Sequence, residues 1–160
     1  MVKTLVTGAN RGIGYQTALQ LSLAGNEVII SARTENSLAD ALDSLKNDGA
    51  DASKLDGVVI NLNDSISIED AGKYIAKNHA DLTNLINNAG IAGDMEKAPL
   101  DTSVEELKAT IEVNVYGTFQ VIKAMLPVIE KTMVKLLTLV PETNRLFGIT
   151  QQPIEFQKSP

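Results

Sequence analysis

The chain has 160 residues, 44% of them hydrophobic and 21% charged, with a net charge of −6 and no cysteine. That length suits one domain with a sizeable core, and the acidic balance argues against a nucleic-acid or anionic-membrane surface as the main partner. Without cysteine there are no disulfides, thiolate metal sites or cysteine nucleophiles. With no long apolar run and no leader-like start, a cytoplasmic protein off the membrane is expected.

Leu5-Val6 is a short apolar run near the start, followed by Thr7-Gly8-Ala9-Asn10-Arg11-Gly12-Ile13-Gly14. Residues 15–21 carry helical spacing, so the glycines fall between a strand and a helix. In that context one glycine permits the tight turn, a second lets backbone approach a pyrophosphate, and a third lets helix and strand pack closely. The helix N-terminus adds free N–H groups and a partial positive charge. After the stop at Gly25-Asn26, Val28-Ile29-Ile30 reads as a buried second strand. Leu38, Ala41, Leu42 and Leu45 share one face of a helix ending near Gly49. Gly57 to Ile60 is a third strand, Ile68, Ala71, Tyr74 and Ile75 mark the next helix, and Leu82 to Ile86 is a fourth strand. One long helix is expected over about Val104 to Lys131, with Pro127 near its end, and a fifth strand over Leu136 to Val140.

This alternation predicts an α/β fold: a doubly wound parallel sheet of the Rossmann kind, truncated after about strand five and occupying residues 1–140. Right-handed crossovers place its crevice at the carboxyl ends of strands one and four. Residues 141–160 hold three of the five prolines and two of the three phenylalanines, and show no clear period. An irregular tail is expected there.

The tip of strand two distinguishes the nicotinamide cofactors. A carboxylate there bonds the adenosine ribose hydroxyls and selects NAD, whereas an arginine accepts the 2′-phosphate of NADP. This chain has Ser31-Ala32-Arg33, with no carboxylate at the tip, and Arg11 in the glycine loop can reach the same phosphate. Two guanidinia converging in an acidic protein point to NADP, because a bidentate guanidinium suits a phosphate better than an ammonium does. The alternative is two unrelated surface arginines.

Thr7-Gly8-x-x-x-Gly12-x-Gly14, Asn87-Asn88-Ala89-Gly90 after strand four, and Asn114-x-x-Gly117 in the long helix come in order and at family-like spacing. On these motifs the chain, over roughly residues 2–131, resembles the short-chain dehydrogenase/reductase family. The resemblance implies an NADP-dependent oxidoreductase passing hydride between NADP(H) and a small-molecule carbonyl or alcohol. It puts Gly8, Asn10, Arg11, Gly12, Ile13 and Gly14 at the pyrophosphate, Arg33 at the 2′-phosphate and Asn61-Leu62 beside the adenine. Asn87, Ala89 and Gly90 would line the nicotinamide riboside side. Many members have aspartate where Asn61 stands. Asn114 matches the family's active-site asparagine, which holds a proton-relay water beside the catalytic lysine. Members commonly pair through the long helix and the helix carrying Tyr-x-x-x-Lys. A homo-oligomer is therefore implied for a full-length parent, and this chain, without the second motif, is not expected to pair that way.

Plainer roles stand beside these. Asn87 and Asn88 can simply tie adjacent strands, and Asn114 can be a polar site in a helix bend. His79, the only histidine, is expected to be solvated near a helix C-terminus. Asp64, Asp81 and Asp94 read as helix caps or loop residues, and no metal-ligand cluster is evident.

The family next supplies a serine after strand five and a Tyr-x-x-x-Lys, in which tyrosine is the general acid or base, lysine lowers its pKa, and serine polarises the substrate oxygen. This chain has neither feature: its tyrosines are Tyr15, Tyr74 and Tyr116, and none has a lysine four residues on. As written, it lacks the catalytic machinery.

The genetic code offers a reason. If the frame slips by one nucleotide near Met133, Met133-Val134 must be ATG-GTN, and reading one base earlier forces glycine opposite Val134. Isoleucine or valine is permitted opposite Leu136, serine opposite Val140 and Pro141, and only alanine or threonine opposite Gln152 and Pro153. Opposite Ile154 the choices are Tyr, His, Asn or Asp. Arginine follows unless a stop intervenes, then Ile or Val, then Ser or Pro, then Lys or Glu opposite Lys158. The offset frame therefore admits Ala-Tyr-Arg-Ile-Ser-Lys, with a serine thirteen positions before the tyrosine. That interval is common in the family.

Two functions follow: the cofactor half of an NADP-dependent carbonyl reductase or alcohol dehydrogenase, or a catalytically dead NADP-binding fragment. A third, an interaction protein using the strand-five edge, is weaker. An unpaired Leu136-Leu137-Thr138-Leu139 edge is an aggregation liability.

Overall fold

Leu5 and Val6, like Val28, Ile29 and Ile30, are consecutive apolar residues because their strands are covered on both faces. The computed structural model describes residues 2–93, 99–132 and 135–138. Its strands are β1 (Lys3–Val6), β2 (Glu27–Ala32), β3 (Leu55–Val59), β4 (Asn84–Asn87) and β5 (Lys135–Thr138). They form one five-stranded parallel sheet in the order β3-β2-β1-β4-β5. This is the doubly wound Rossmann arrangement expected. The chain order reverses between β1 and β4, so the crevice opens beyond their carboxyl ends.

The helices are α1 (Gly12–Leu23), α2 (Glu35–Asn47), α3 (Ser65–Asn78), α4 (Val104–Ile111) and α5 (Thr118–Thr132). Strand alternation sorts the core into two halves. Leu5, Ile29, Val58 and Leu85 face one way and meet Ile68 and Ile75 of α3 and Val121 and Met125 of α5. Val6, Val28 and Ile30 face the other way and meet Ala18 of α1 and Leu38, Ala41 and Leu45 of α2. Each fully buried aliphatic side chain contributes about 1.5–3 kcal/mol. In α1 the buried positions are small, Gly14, Ala18 and Ser22, which brings that helix close to the sheet.

Among the described residues, three of the α-helix starts are capped by side chains. Thr34 accepts from Ser37 N–H at α2, Asp64 accepts from Ile66 and Ser67 N–H at α3, and Ser103 with Glu106 forms a capping box at α4. Asp64 is thus a cap, as expected. The start of α1 is different: its cap position is Arg11, in extended backbone, with no side-chain hydrogen bond.

The single long helix expected over 104–131 is interrupted. Residues Glu112–Gly117 between α4 and α5 form a π-helical segment, whose wider turn rotates everything after it relative to a continuous α-helix. Pro127 lies inside α5. Strand boundaries also move by one or two residues: β3 begins at Leu55 and β4 at Asn84, not at Gly57 and Leu82. The tail at 141–160, and Leu139 and Val140 of the expected fifth strand, lie outside the described residues.

His79 is not solvated. It caps the end of α3, its Nε2 lies 2.7 Å from Asp56 Oδ2, and its side chain is only 13% exposed. Tyr74 donates to the same carboxylate oxygen at 2.7 Å. Asp81 pairs with Lys3 at 2.7 Å, in keeping with a loop role.

Candidate cofactor site

The glycine loop is built from β1 outward. Thr7 is buried at the end of β1, and its Oγ1 accepts the backbone N–H groups of Asn88 and Ala89, both at 3.0 Å. Asn88 answers with its side-chain amide, donating to the Thr7 carbonyl at 2.9 Å and the Gly8 carbonyl at 3.0 Å. Gly8 N–H donates to Ser31 Oγ at 3.2 Å and Ala9 N–H to the Ser31 carbonyl at 2.9 Å. The loop is thereby tied to the tips of both neighbouring strands, β4 through Asn88 and β2 through Ser31.

Close packing requires glycine at Gly8 and Gly14. Gly8 has φ +63°, and a Cβ there would lie 2.8 Å from Ala89 Cα. At Gly14 an added Cβ would lie 2.7 Å from the Gly8 carbonyl oxygen and would also strike the Asn88 side chain. Loop, α1 and residues 88–89 are packed backbone to backbone.

The loop leaves several groups free to meet a dinucleotide cofactor. The first turn of α1 has no capping side chain and no acidic residue, so its N–H groups are available to an anion. Ile13 stands 72% exposed in that same turn, an apolar side chain at the crevice. Asn87 Nδ2 is buried, with no hydrogen-bond partner among the described residues. Arg11 and Arg33 are both exposed, and among the described residues neither is in an ion pair. These features fit a phosphate-bearing nucleotide. Among the described residues no cluster of three or more His, Cys, Asp or Glu could hold a metal.

The other expected residues fall into two loops. Asn61 uses its Oδ1 to accept Asn63 N–H at 3.2 Å, closing a turn, while its own N–H donates to Ser67 Oγ at 3.1 Å. Leu62 is half-buried and packs partly against the core. On the far side Gly90 is exposed, and the next residue, Ile91, is held by Asn114. Asn114 Oδ1 accepts Ile91 N–H at 2.8 Å and Nδ2 donates to the Ile91 carbonyl at 2.7 Å. The plainer role of Asn88, tying strands, is one it plainly performs. Thr7 and Ser31 were not among the expected site residues, although both stand at strand ends beside the loop.

The chain matches the short chain dehydrogenase family over residues 3–135. It belongs to that family.

Among curated relatives, the short-chain dehydrogenase anuI of Penicillium roqueforti is 32% identical over 152 residues, covering 93% of this chain and 59% of that protein. The mitochondrial D-beta-hydroxybutyrate dehydrogenase of Bos taurus is 31% identical over 158 residues, covering 93% of this chain and 43% of the relative. The chain thus spans about half the length of these relatives. Among solved structures, actinorhodin polyketide ketoreductase with NADPH is 28% identical, with a TM-score of 0.73 over 86% of this chain and 52% of that one. An alcohol dehydrogenase from Thermococcus sibiricus in complex with 5-hydroxy-NADP is 27% identical, also with a TM-score of 0.73, over 86% of this chain and 57% of that one. Proteins of this short-chain dehydrogenase family are oxidoreductases of small molecules, and no helix among the described residues is long and apolar enough to cross a membrane.

Proposed function

We propose that the chain is the cofactor half of an NADP-dependent short-chain oxidoreductase acting between a carbonyl and an alcohol. The observation that carries the cofactor choice is the tip of β2: Ser31 binds the glycine loop, no carboxylate stands at the tip itself, and Arg33 is exposed and unpaired among the described residues. Arg33 and Arg11 would hold the 2′-phosphate, each able to present two parallel N–H groups. Gly8 to Gly14 would hold the pyrophosphate against the uncapped start of α1. Asn61 and Leu62 would flank the adenine, and Asn87, Ala89 and Gly90 the nicotinamide side. The bound cofactor supplies or accepts the hydride. NADPH and 5-hydroxy-NADP in two structurally similar proteins support this reading.

Asn114 serves as the active-site asparagine. Its side-chain amide is committed to Ile91 at both ends, so the proton-relay water belongs on its backbone carbonyl, within the π-helical segment. In a full-length parent, serine, tyrosine and lysine would come from the offset reading frame after Met133, which makes everything beyond that point, the tail at 141–160 included, a frameshifted stretch. The exposed stripe Leu107, Ile111, Val115 and Phe119 supports a homo-oligomer in a full-length parent. The composition keeps the cytoplasm as the proposed compartment.

The literal sequence favours a second reading, an inactive NADP-binding fragment, because no tyrosine in it is followed by lysine at the fourth position. Sequencing the encoding DNA and assaying NADPH turnover with a panel of carbonyls separate the two. A codon arrangement that cannot yield tyrosine opposite Ile154 sinks the frameshift, and turnover by this 160-residue chain overturns the claim that it lacks catalytic residues.

A further inference from the structure

Glu112–Gly117 is the one π-helical segment among the described residues, and it touches both the turn after β3 and the loop after β4. Near its middle, Asn114 grips the backbone of Ile91, one residue beyond Gly90. Its last residue, Gly117, is buried against the turn that follows β3. A Cβ added at Gly117 would lie 2.7 Å from the Leu62 carbonyl oxygen and 2.8 Å from Leu62 Cβ. The first of these contacts is with backbone, so a side chain there cannot be accommodated by a rotamer change; the turn itself has to move. That turn is a small self-bonded unit, with Asp64 N–H donating to the Asn61 carbonyl at 2.9 Å and Asn63 N–H to Asn61 Oδ1 at 3.2 Å. Moving Leu62 therefore moves Asn61 with it.

We propose that the π-helical turn gauges the adenine side of the cofactor crevice, with Gly117 as the positioning residue for the Asn61-Leu62 turn. The inference rests on the assignment of Asn61-Leu62 to the adenine side and goes beyond it by naming what sets their position. A wider turn suits the task. It lets one stretch of helix present a side-chain amide to one loop and a bare backbone to the other, where a regular α-helix would aim them differently. Gly117 acts through Leu62 and is not itself expected to touch the nucleotide.

A merely structural Gly117 would behave like Gly72, where an added Cβ would lie 2.8 Å from the Ala124 carbonyl oxygen, in the contact between α3 and α5. Gly72→Ala is therefore the control, since it crowds the same helix layer without touching either loop. Affinities of the 160-residue chain for NADPH and for 2′,5′-ADP, which lacks the nicotinamide half, are measured by calorimetry, together with amide exchange of the ligand-free protein. Gly117→Ala should weaken both ligands by the same factor, about ten-fold or more, and speed exchange at the Asn63 and Asp64 amides. Asn114→Ala should weaken NADPH and leave 2′,5′-ADP unchanged. Gly72→Ala should lower the unfolding midpoint and change neither affinity nor exchange at 63–64. If Gly117→Ala does not fold, Gly117→Ala combined with Leu62→Gly, which removes one of the two close contacts, is compared with Leu62→Gly alone, and a further equal loss of both ligands carries the same reading. Wild-type affinity in folded Gly117→Ala, or an equal loss in Gly72→Ala, overturns the proposal. A wild-type chain that binds neither ligand refutes the functional reading instead, and the exchange measurement, which needs no ligand, then decides the role of Gly117.

Discussion

Asn114 and Ile91 are joined through both ends of one side-chain amide, which accepts the Ile91 N–H at 2.8 Å and donates to its carbonyl at 2.7 Å. Aspartate at this position keeps an acceptor but loses the donor and faces the Ile91 carbonyl with a second oxygen. Because the pair is exposed, Asn114→Asp is expected to cost about 1 kcal/mol, read as a shift in the midpoint of urea unfolding. An unchanged midpoint would mean that the loop at Ile91 is held by something else.

Thr7 carries a larger share of stability. Its hydroxyl accepts two backbone N–H groups inside a site that is 1% exposed. Thr7→Val has nearly the same shape and takes the acceptor from both part-buried donors, at about 1–3 kcal/mol for each. Urea unfolding of this variant should show a loss of at least about 2 kcal/mol, and a near-neutral result would contradict the account of the loop.

Gly14→Ala tests the close packing of α1 on residues 88–89. The added methyl meets the Gly8 carbonyl oxygen at 2.7 Å, so α1 must back away from the loop. Overpacking of this kind costs about 1–3 kcal/mol, and the displaced helix start should bind NADPH at least about ten-fold more weakly. Thermal unfolding and calorimetry on the same preparation give both numbers. Wild-type affinity would show that the helix start does not hold the phosphates.

The order of elements was legible because apolar runs alternate with helical faces, and each strand needed both faces covered. The glycine loop was legible from its place between Val6 and Tyr15. What escaped was set by contacts between distant residues. The π-helical turn at Glu112–Gly117 leaves the apolar pattern of the helix intact, and the groups it packs against, the Ile91 backbone and the Leu62 carbonyl, are distant in sequence. His79 looked solvated because its neighbours are polar, yet its partner is Asp56, 23 residues away. Thr7 sat inside a recognised motif, but nothing local marks its hydroxyl as the acceptor for residues 88 and 89. A polar residue closing a buried strand, beside an Asn-Asn pair closing another, was the available signal.

Asp56 gives the fold a pH dependence. Burial pushes its carboxyl up, but the Tyr74 hydroxyl, the Gly57 N–H and His79 together hold it below the ordinary value. A folded-state pKa below the unfolded one means stabilisation that is present above the unfolded pKa of about 4 and lost as pH falls through the folded value. Asp56→Asn should therefore be less stable than wild type at neutral pH, by about 1 kcal/mol for a carboxylate that is 40% exposed. The gap in Tm should close below about pH 4. An equal gap at both ends of that range would show that the charge of Asp56 plays no part.

NADP binding in this crevice is proposed to run through Arg33 and Arg11. Its most direct test is the affinity of the unaltered chain and of Arg33→Asp for NADPH and NADH, measured side by side at one salt concentration. The unaltered chain should prefer NADPH by about ten-fold or more, and Arg33→Asp should remove most of that preference by weakening NADPH while changing NADH little. Equal affinity for the two cofactors in the unaltered chain, or an equal loss of both in the variant, would contradict the assignment.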